Sequence, residues 1–257
     1  MLPALVVAAA VVATPNTNIA DEINTQCGNS DSVTIDCLST PHENFYSFQK
    51  LPTTIPNNCD TNKANLINFT IQSCNFENAT MPEWVFNFTN LQNLILSSND
   101  LEGTIPIQIG DMDALATFDI SDNFLSGTIP TQIGDMDALT LFRAESNRFT
   151  GPIPTHIGNM DSLVYFYLGG YSTDMNDGKT LSGAIPDQIG NMGALQWFGV
   201  SHHELSGTIP TQIGDMDALT NFQAHHNQLT GPIPTQISNM DSIITFDAKY
   251  NKLTGIA

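Results

Sequence analysis

GTIPTQIGDMDAL, residues 127–139, returns letter for letter at 207–219. Around these two copies stand GTIPIQIGDMDAL at 103–115, GPIPTHIGNMDSL at 151–163, GAIPDQIGNMGAL at 183–195 and GPIPTQISNMDSI at 231–243. Counted from the first apolar residue of each unit, the repeats begin at Leu91, Leu115, Leu139, Leu163, Leu195, Leu219 and Ile243, in steps of 24, 24, 24, 32, 24 and 24 residues. A degenerate unit of 25 residues precedes them at Leu66, and the last one runs for 15. A fixed period of this size means that each unit is one supersecondary piece unable to bury its apolar face alone. Stacking gives all of them one continuous core.

Each recurring position has a physical reason. Apolar residues two apart, such as Leu94 with Leu96 or Phe222 with Ala224, have the period that turns alternate side chains of a short strand inward and leaves the flanking residues in solvent. A column of amides follows, at Asn99, Asn123, Asn147, Asn227 and Asn251, able to satisfy backbone groups where the chain turns a corner. A buried one could not be lost without leaving polar groups unpaired, at about 1–3 kcal/mol each. Gly permits the bend, Pro fixes φ and ends pairing, and Ile with Met fills the far side of the coil.

The pattern L-x-x-(L/F)-x-(L/A)-x-x-N-x-(L/F)-x-G-x-I-P-x-x-I-G-x-M resembles the leucine-rich repeat family. It is closest to the plant-type class seen in receptor-like kinase and receptor-like protein ectodomains and in polygalacturonase-inhibiting proteins. The resemblance covers residues 64–257 and implies an α/β repeat solenoid, a right-handed superhelix with a parallel β-sheet on its concave face and 3₁₀ or irregular segments on its convex face. Met112, Met136, Met160, Met192, Met216 and Met240 stand where the family usually has Leu. The cysteine segment before the repeats lacks the family's paired-cysteine and tryptophan pattern, and no kinase domain or membrane span is attached.

Outward from the repeats, the chain divides into an apolar leader at 1–13 with an end as late as residue 20, a cysteine-containing cap at 21–63, and about eight repeats at 64–257. LPALVVAAAVVA, residues 2–13, has the length of a secretory signal's apolar core and is too short for a bilayer, which needs about 20 apolar residues. Cys27, Cys37, Cys59 and Cys74 all lie in the first 74 residues, as expected of a disulfide-stapled cap in an exported protein. Three connectivities are possible, and sequence proximity favours Cys27 with Cys37 and Cys59 with Cys74. Sequons at Asn68, Asn78 and Asn87 agree with export. The stop at Ala257, in mid-unit and without a polar cap, leads us to expect a fragment, with Phe246, Leu253 and Ile256 uncovered.

The 257 residues carry 7 Lys and Arg against 26 Asp and Glu, a formal charge of -19, which makes nucleic acid and anionic membranes poor partners. Eight of the acids belong to the DMD and NMD segments: Asp111, Asp113, Asp135, Asp137, Asp161, Asp215, Asp217 and Asp241. They form ladders on the convex edge without the compact oxygen cage that calcium requires, and read as a solvated rim.

Stacking turns equivalent positions into columns. One strand-exposed column runs Asn68, Asn93, Thr117, Leu141, Tyr165, Trp197, Asn221, Thr245; its neighbour runs Thr70, Ile95, Asp119, Arg143, Tyr167, Gly199, Gln223, Asp247. Leu141, Arg143, Tyr165, Tyr167 and Trp197, with Asp119 and Gln223 beside them, therefore gather into a candidate ligand-binding face rich in the residue types that dominate hot spots. The eight-residue insertion between Leu168 and Leu181 leaves the coil next to it. His202 and His226 share a column and are the weak candidates for a transition metal, His203 takes an Asn-ladder position, and the expectation is no metal and no cofactor.

No nucleophile elbow, phosphate loop or HExxH is present, so the chain reads as a non-enzyme. The function these features support is a secreted or cell-surface module, monomeric, that binds an extracellular protein, peptide or glycan on its concave face in signalling or defence. The alternatives are an inhibitor of a secreted hydrolase and a surface-adsorbing (ice or mineral) or cation-bridged matrix protein, the adsorbing surface being Thr128, Thr131, Thr208 and Thr211.

Overall fold

The computed structural model describes residues 11–12, 19–29, 31–36, 54, 56, 57, 59, 65–74, 76, 79–170 and 180–256. Most of the apolar leader, Cys37, Asn78 and insertion residues 171–179 lie outside them.

Ten parallel strands form one sheet in strict chain order: Val11–Val12, Ser32–Asp36, Asn68–Gln72, Asn93–Ile95, Thr117–Asp119, Leu141–Arg143, Tyr165–Tyr167, Trp197–Gly199, Asn221–Gln223 and Thr245–Asp247. The pairing register joins each residue to its equivalent one unit away, as in Phe118↔Phe142↔Phe166↔Phe198↔Phe222↔Phe246. The middle residue of each strand points inward, so these phenylalanines stack as a ladder with ring centroids 5.0–5.9 Å apart. From Phe118 to Phe222 they are fully buried.

On the opposite side every unit before the last makes a five-residue 3₁₀ turn, for example Thr131–Asp135 and Thr211–Asp215. Each starts after a proline at φ between −61° and −70°, the angle the pyrrolidine ring imposes. In the regular units the N–H of the following Met closes back on the Ile carbonyl three residues earlier, as Met136 does on Ile133. That Met is buried, which explains the I-P-x-x-I-G-x-M spacing. Gly sits where successive turns touch: a Cβ at Gly134 would stand 2.3 Å from the carbonyl oxygen of His156. The eight Asp of the DMD and NMD segments are all exposed on this side.

The Asn ladder is the internal frame. The Asn123 amide donates to the carbonyls of Leu96, Ile120 and Ser121 at 2.9–3.1 Å, while its oxygen accepts the backbone N–H groups of Asn99 and Leu101. Asn147, Asn227 and Asn251 repeat the arrangement with the same 22- and 27-residue offsets. The residue just before each ladder position takes the left-handed conformation, at φ 53–62° for Ser98, Asp122, Ser146, His202, His226 and Tyr250. Three of these six are small polar residues, which bear positive φ with little strain, and the other three are the rings His202, His226 and Tyr250.

The sheet reaches back into the cap, which the repeat pattern does not reveal. Ser32–Asp36 pairs with Asn68–Gln72 over five residues. The helix Ile19–Asn29 covers that end through Ile19, Ile23 and Cys27, spaced four apart on one buried face. The cysteine pairing differs from the expectation by proximity. Cys27 is bonded to Cys59, with Cα atoms 4.8 Å apart and a sequence separation of 32, because the inner helix face carries Cys27 against the segment holding Cys59. Cys74 is disulfide-bonded as well, so neither Cys27–Cys37 nor Cys59–Cys74 forms. Closing a loop of that length stabilises the fold by roughly 3–4 kcal/mol on the chain-entropy account. At the last coil Phe246 and Leu253 are half-buried against the core rather than uncovered, Phe246 by stacking on Phe222, the exposed large apolar side chains there are Ile244 and Tyr250, and the Ile256 side chain lies outside those described.

Candidate functional site

The strand register brings the two expected columns together: Leu141↔Tyr165↔Trp197↔Asn221 and Arg143↔Tyr167↔Gly199↔Gln223. Tyr165 and Tyr167 are near-parallel at 6.3 Å, and Tyr167 meets Trp197 at 5.5 Å with a 40° tilt. Leu141, Tyr165, Tyr167 and Trp197 are half-buried, so they form a continuous apolar ridge on the sheet face.

Arg143 does not stand free beside this ridge. Its guanidinium donates to Glu145 through Nε at 3.0 Å and also through Nη2, lies 3.5 Å from Asp119 Oδ2, and sits 5.7 Å from the Tyr167 ring centroid. Burial pulls its pKa down, but Asp119 and Glu145 outweigh burial and hold it above its ordinary value. Asp119 is itself buried, with Oδ1 accepting the N–H and hydroxyl of Ser121 at 3.0 and 2.7 Å. Its carboxylate is thus engaged by Ser121 on one oxygen and faces Arg143 with the other. Glu145 has its pKa raised, chiefly by burial, and its second oxygen, Oε2, is buried with no hydrogen-bond partner. The indole N–H of Trp197 is in the same condition.

These two groups line one open pocket of about 160 Å³ together with Tyr167, Gly169, Gly199, Ser201 and Gln223. Gly199 makes the gap, since a Cβ there would lie 3.3 Å from Trp197 Nε1. Glu145, Gly169 and Ser201 belong to a third column, Ser97, Ser121, Glu145, Gly169, Ser201, His225, Lys249, two residues beyond the second. Continuing the period-two reading past the end of each strand would have found them. Of the residues named from sequence, Tyr167, Trp197 and Gln223 line the pocket, while Leu141 and Tyr165 flank it on the ridge.

The histidines follow in the same two coils that hold Trp197 and Gln223. His202 and His226 stack at 4.6 Å with planes 12° apart, and His226 stacks on Tyr250 at 4.2 Å. Ring-nitrogen lone pairs lie in the ring plane, so parallel stacked imidazoles do not converge on a shared ion. Among the described residues no group of three His, Cys, Asp or Glu is placed to hold a metal. His225 Nδ1 meets both Ser201 Oγ at 2.9 Å and Asp247 Oδ2 at 3.6 Å. A hydrolytic triad needs the hydroxyl and carboxylate on opposite ring nitrogens, which this arrangement does not provide.

His203 occupies the ladder position and copies the amide. Its Nδ1 accepts the Leu181 N–H at 3.4 Å, the usual 22 residues back, which puts the ring proton on Nε2 to donate to the Leu168 carbonyl at 2.5 Å. Burial is the main cause that lowers its pKa to about 4. Between that value and about 6.5 the unfolded chain takes up a proton that the native state refuses, so stability is full above pH 6.5 and falls as the pH drops towards 4. We expect a loss of about 2 kcal/mol from this group between pH 7 and pH 5. His203→Asn should flatten that slope, as measured by urea unfolding at the two pH values; equal slopes for the two proteins would refute the assignment.

Asn87 is exposed at the end of the 3₁₀ turn Glu83–Asn87, whereas Asn68 is half-buried and its amide donates to Ser32 Oγ at 2.8 Å. No helix among the described residues is long and apolar enough to cross a membrane.

A family model described as Leucine Rich Repeat matches residues 90–112 and 114–136. The solenoid is built of leucine-rich repeats. It is similar to the leucine-rich repeat ectodomain of the plant membrane receptor kinase GASSHO1/SCHENGEN3 from Arabidopsis thaliana, solved in complex with Casparian strip integrity factor 2. The two are 33% identical with a TM-score of 0.69, over 75% of this chain and 22% of that one. The Arabidopsis receptor kinase HAESA, solved with the peptide hormone IDA and the co-receptor SERK1, is 29% identical with a TM-score of 0.66, over 77% of this chain and 32% of that one. This leucine-rich repeat chain thus spans about a fifth to a third of the length of those two. A plant ice-binding protein shares the fold at 22% identity and a TM-score of 0.53, over 74% of this chain and 73% of that one. None of the curated proteins matches the chain.

Proposed function

We propose that the protein is an extracellular, non-catalytic recognition module that holds a protein, peptide or glycan on its concave face, centred on Tyr165, Tyr167 and Trp197. The observation that carries this reading is the ridge itself: three aromatic side chains from two adjacent strands in mutual contact and half-buried, next to a pocket with two unpaired polar atoms. Aromatic anchors beside desolvated polar groups are what binding hot spots are made of. The receptor ectodomains it resembles were solved with bound partners, the peptide hormone IDA in one case and Casparian strip integrity factor 2 in the other, which supports a ligand-binding use of the same architecture. Export agrees with the Cys27–Cys59 disulfide.

Arg143 serves as a strut for the ridge, its charge already shared between Asp119 and Glu145. An inhibitor of a secreted hydrolase would dock on the same ridge and is the same reading with a folded partner. Adsorption to a flat crystal surface is less well served. The position after the left-handed Gly runs Thr104, Thr128, Pro152, Ala184, Thr208, Pro232, so its hydroxyl column is broken in three of six places, and the column of Thr131 and Thr211 is broken at Ile107 and Asp187.

The test is a panel of extracellular proteins, peptides and oligosaccharides presented to the purified protein. A Tyr167→Ala/Trp197→Ala double variant that keeps the wild-type melting profile should lose on the order of 100-fold in affinity for whatever binds. Unchanged affinity in that variant would show that the ligand sits elsewhere.

A further inference from the structure

The pocket over Gly199 says more about the ligand than the ridge does, and any ligand assigned to it rests on the concave-face recognition proposed for the module. Its chemistry is set by two groups left without partners on residues that line it, a carboxylate oxygen on Glu145 and an indole N–H on Trp197. The first can only accept a hydrogen bond and the second can only donate one.

Each charge type fails one of them. An anionic group could accept from the indole, but it would face Glu145 and Asp119 with only Arg143 between them, a local sum of one positive against two negative charges. An ammonium or guanidinium could donate to Glu145, yet it has no lone pair for the indole N–H and would lie beside Arg143. A group that donates and accepts while uncharged satisfies both, and a hydroxyl is the smallest such group.

The rest of the wall selects among hydroxyl carriers. Tyr167 and Trp197 line the gap with ring centroids 5.5 Å apart, and an aromatic face, negative at its centre, attracts the weakly positive C–H bonds of an aliphatic ring. Ser201 and Gln223 add one hydroxyl and one amide to the rim. A volume of about 160 Å³ is on the scale of a single ring. We infer that the pocket formed by Glu145, Tyr167, Trp197, Gly199, Ser201 and Gln223 is a subsite for one neutral sugar ring of a glycan. One ring hydroxyl donates to Glu145 Oε2, another accepts from Trp197 Nε1, and the C–H face lies against the aromatic side chains.

Both polar atoms are shut off from bulk water in the free protein, so a ligand that reaches them once the two side chains turn strips no hydration shell from them. They gain close to a full hydrogen bond each, the one to the charged carboxylate being the stronger.

The experiment presents the intact protein with neutral hexose and pentose oligosaccharides, uronate oligosaccharides, and peptides bearing Asn, Ser, Lys or Glu. Binding of a neutral oligosaccharide is expected. It should weaken about 10-fold in Trp197→Phe, which keeps a stacking ring and removes the N–H, and about 5-fold in Glu145→Gln. Gly199→Ala, which fills the floor of the pocket, should weaken it about 10-fold with an unchanged melting temperature. A neutral sugar bound equally by all three variants overturns the subsite, as does preference for a charged sugar or peptide. If no saccharide binds while a peptide or protein does, and the Tyr167→Ala/Trp197→Ala variant loses it, the sugar inference falls and the recognition module stands. A ligand indifferent to that double variant removes both.

Discussion

Asn123→Ala is expected to lower the unfolding free energy by about 4 kcal/mol, more than any other single ladder substitution of the same kind. The amide is 1% exposed and holds five backbone groups. The three carbonyls survive its loss, because Leu96 is also reached by the amide of Asn99, Ile120 by that of Asn147, and Ser121 by the N–H of Ser98. The two N–H groups do not, since Asn99 N and Leu101 N point at Asn123 Oδ1 and have no other acceptor among the described residues. Two buried donors left unpaired cost about 1–3 kcal/mol each. Asn251, half-exposed and holding the single N–H of Leu229, provides the comparison within the same column, and its alanine variant should lose about 1 kcal/mol. Urea unfolding of the two variants decides the matter, and equal losses would mean that the ladder does not act through buried N–H groups.

Gly134→Ala should be nearly as damaging, by about 3 kcal/mol or more, for a steric reason. Its Cβ would stand 2.3 Å from the His156 carbonyl oxygen and 2.8 Å from the His156 Cβ, and neither is the flexible end of a side chain. The two 3₁₀ turns would have to separate, and with them the Ile and Met side chains packed beneath. Gly158, Gly190 and Gly214 face the next turn at 2.6–2.7 Å, so the restriction belongs to the repeat and not to one coil. Gly193 is the control, with nothing within 4 Å of its would-be Cβ. Gly193→Ala should leave the melting temperature within a degree or two or raise it slightly, since alanine restricts the unfolded chain. A melt in which both variants fell alike would show that glycine is required for backbone freedom rather than for close approach.

These two sites also separate the roles of the two faces. The convex side is fixed by contacts too close for a methyl group, and its exposed carboxylates make no part of the pocket. The concave side carries its variety on strands whose inward residues are a nearly uniform phenylalanine ladder, so the outward residues vary over a constant scaffold. The charge of -19 therefore says little about the ligand: around the pocket it reduces to Arg143, Asp119 and Glu145, and the sum there is one negative charge.

Most of the frame could be read directly. The 24-residue period, the apolar pairs, the Asn column and the I-P-x-x-I-G-x-M segment specify a coil, and identical coils can stack only in equivalent register. The columns holding Tyr165, Trp197, Arg143 and Tyr167 are a consequence of that register alone. His203 could be placed in the ladder by counting, and its hydrogen bonds show an imidazole keeping the acceptor and one donor of the amide it replaces.

What counting could not supply were relations outside the period. Cys27 meets Cys59 because a helix without repeat character turns its Ile19, Ile23 and Cys27 face towards that segment, so nearness in sequence is no guide. Arg143 reads as a free cation in its column, yet it is captured by Glu145 two residues on and by Asp119 one coil back. The unpaired oxygen of Glu145 and the unpaired indole of Trp197 arise only once neighbouring side chains have taken or refused their hydrogen bonds. Sequence by itself determined the solenoid, because a repeat needs only its own pattern and that of its neighbour. The tertiary structure alone decided the cap pairing and the polarity of the pocket, because side chains from different coils compete there for the same partners, and the outcome depends on distances of a few tenths of an ångström.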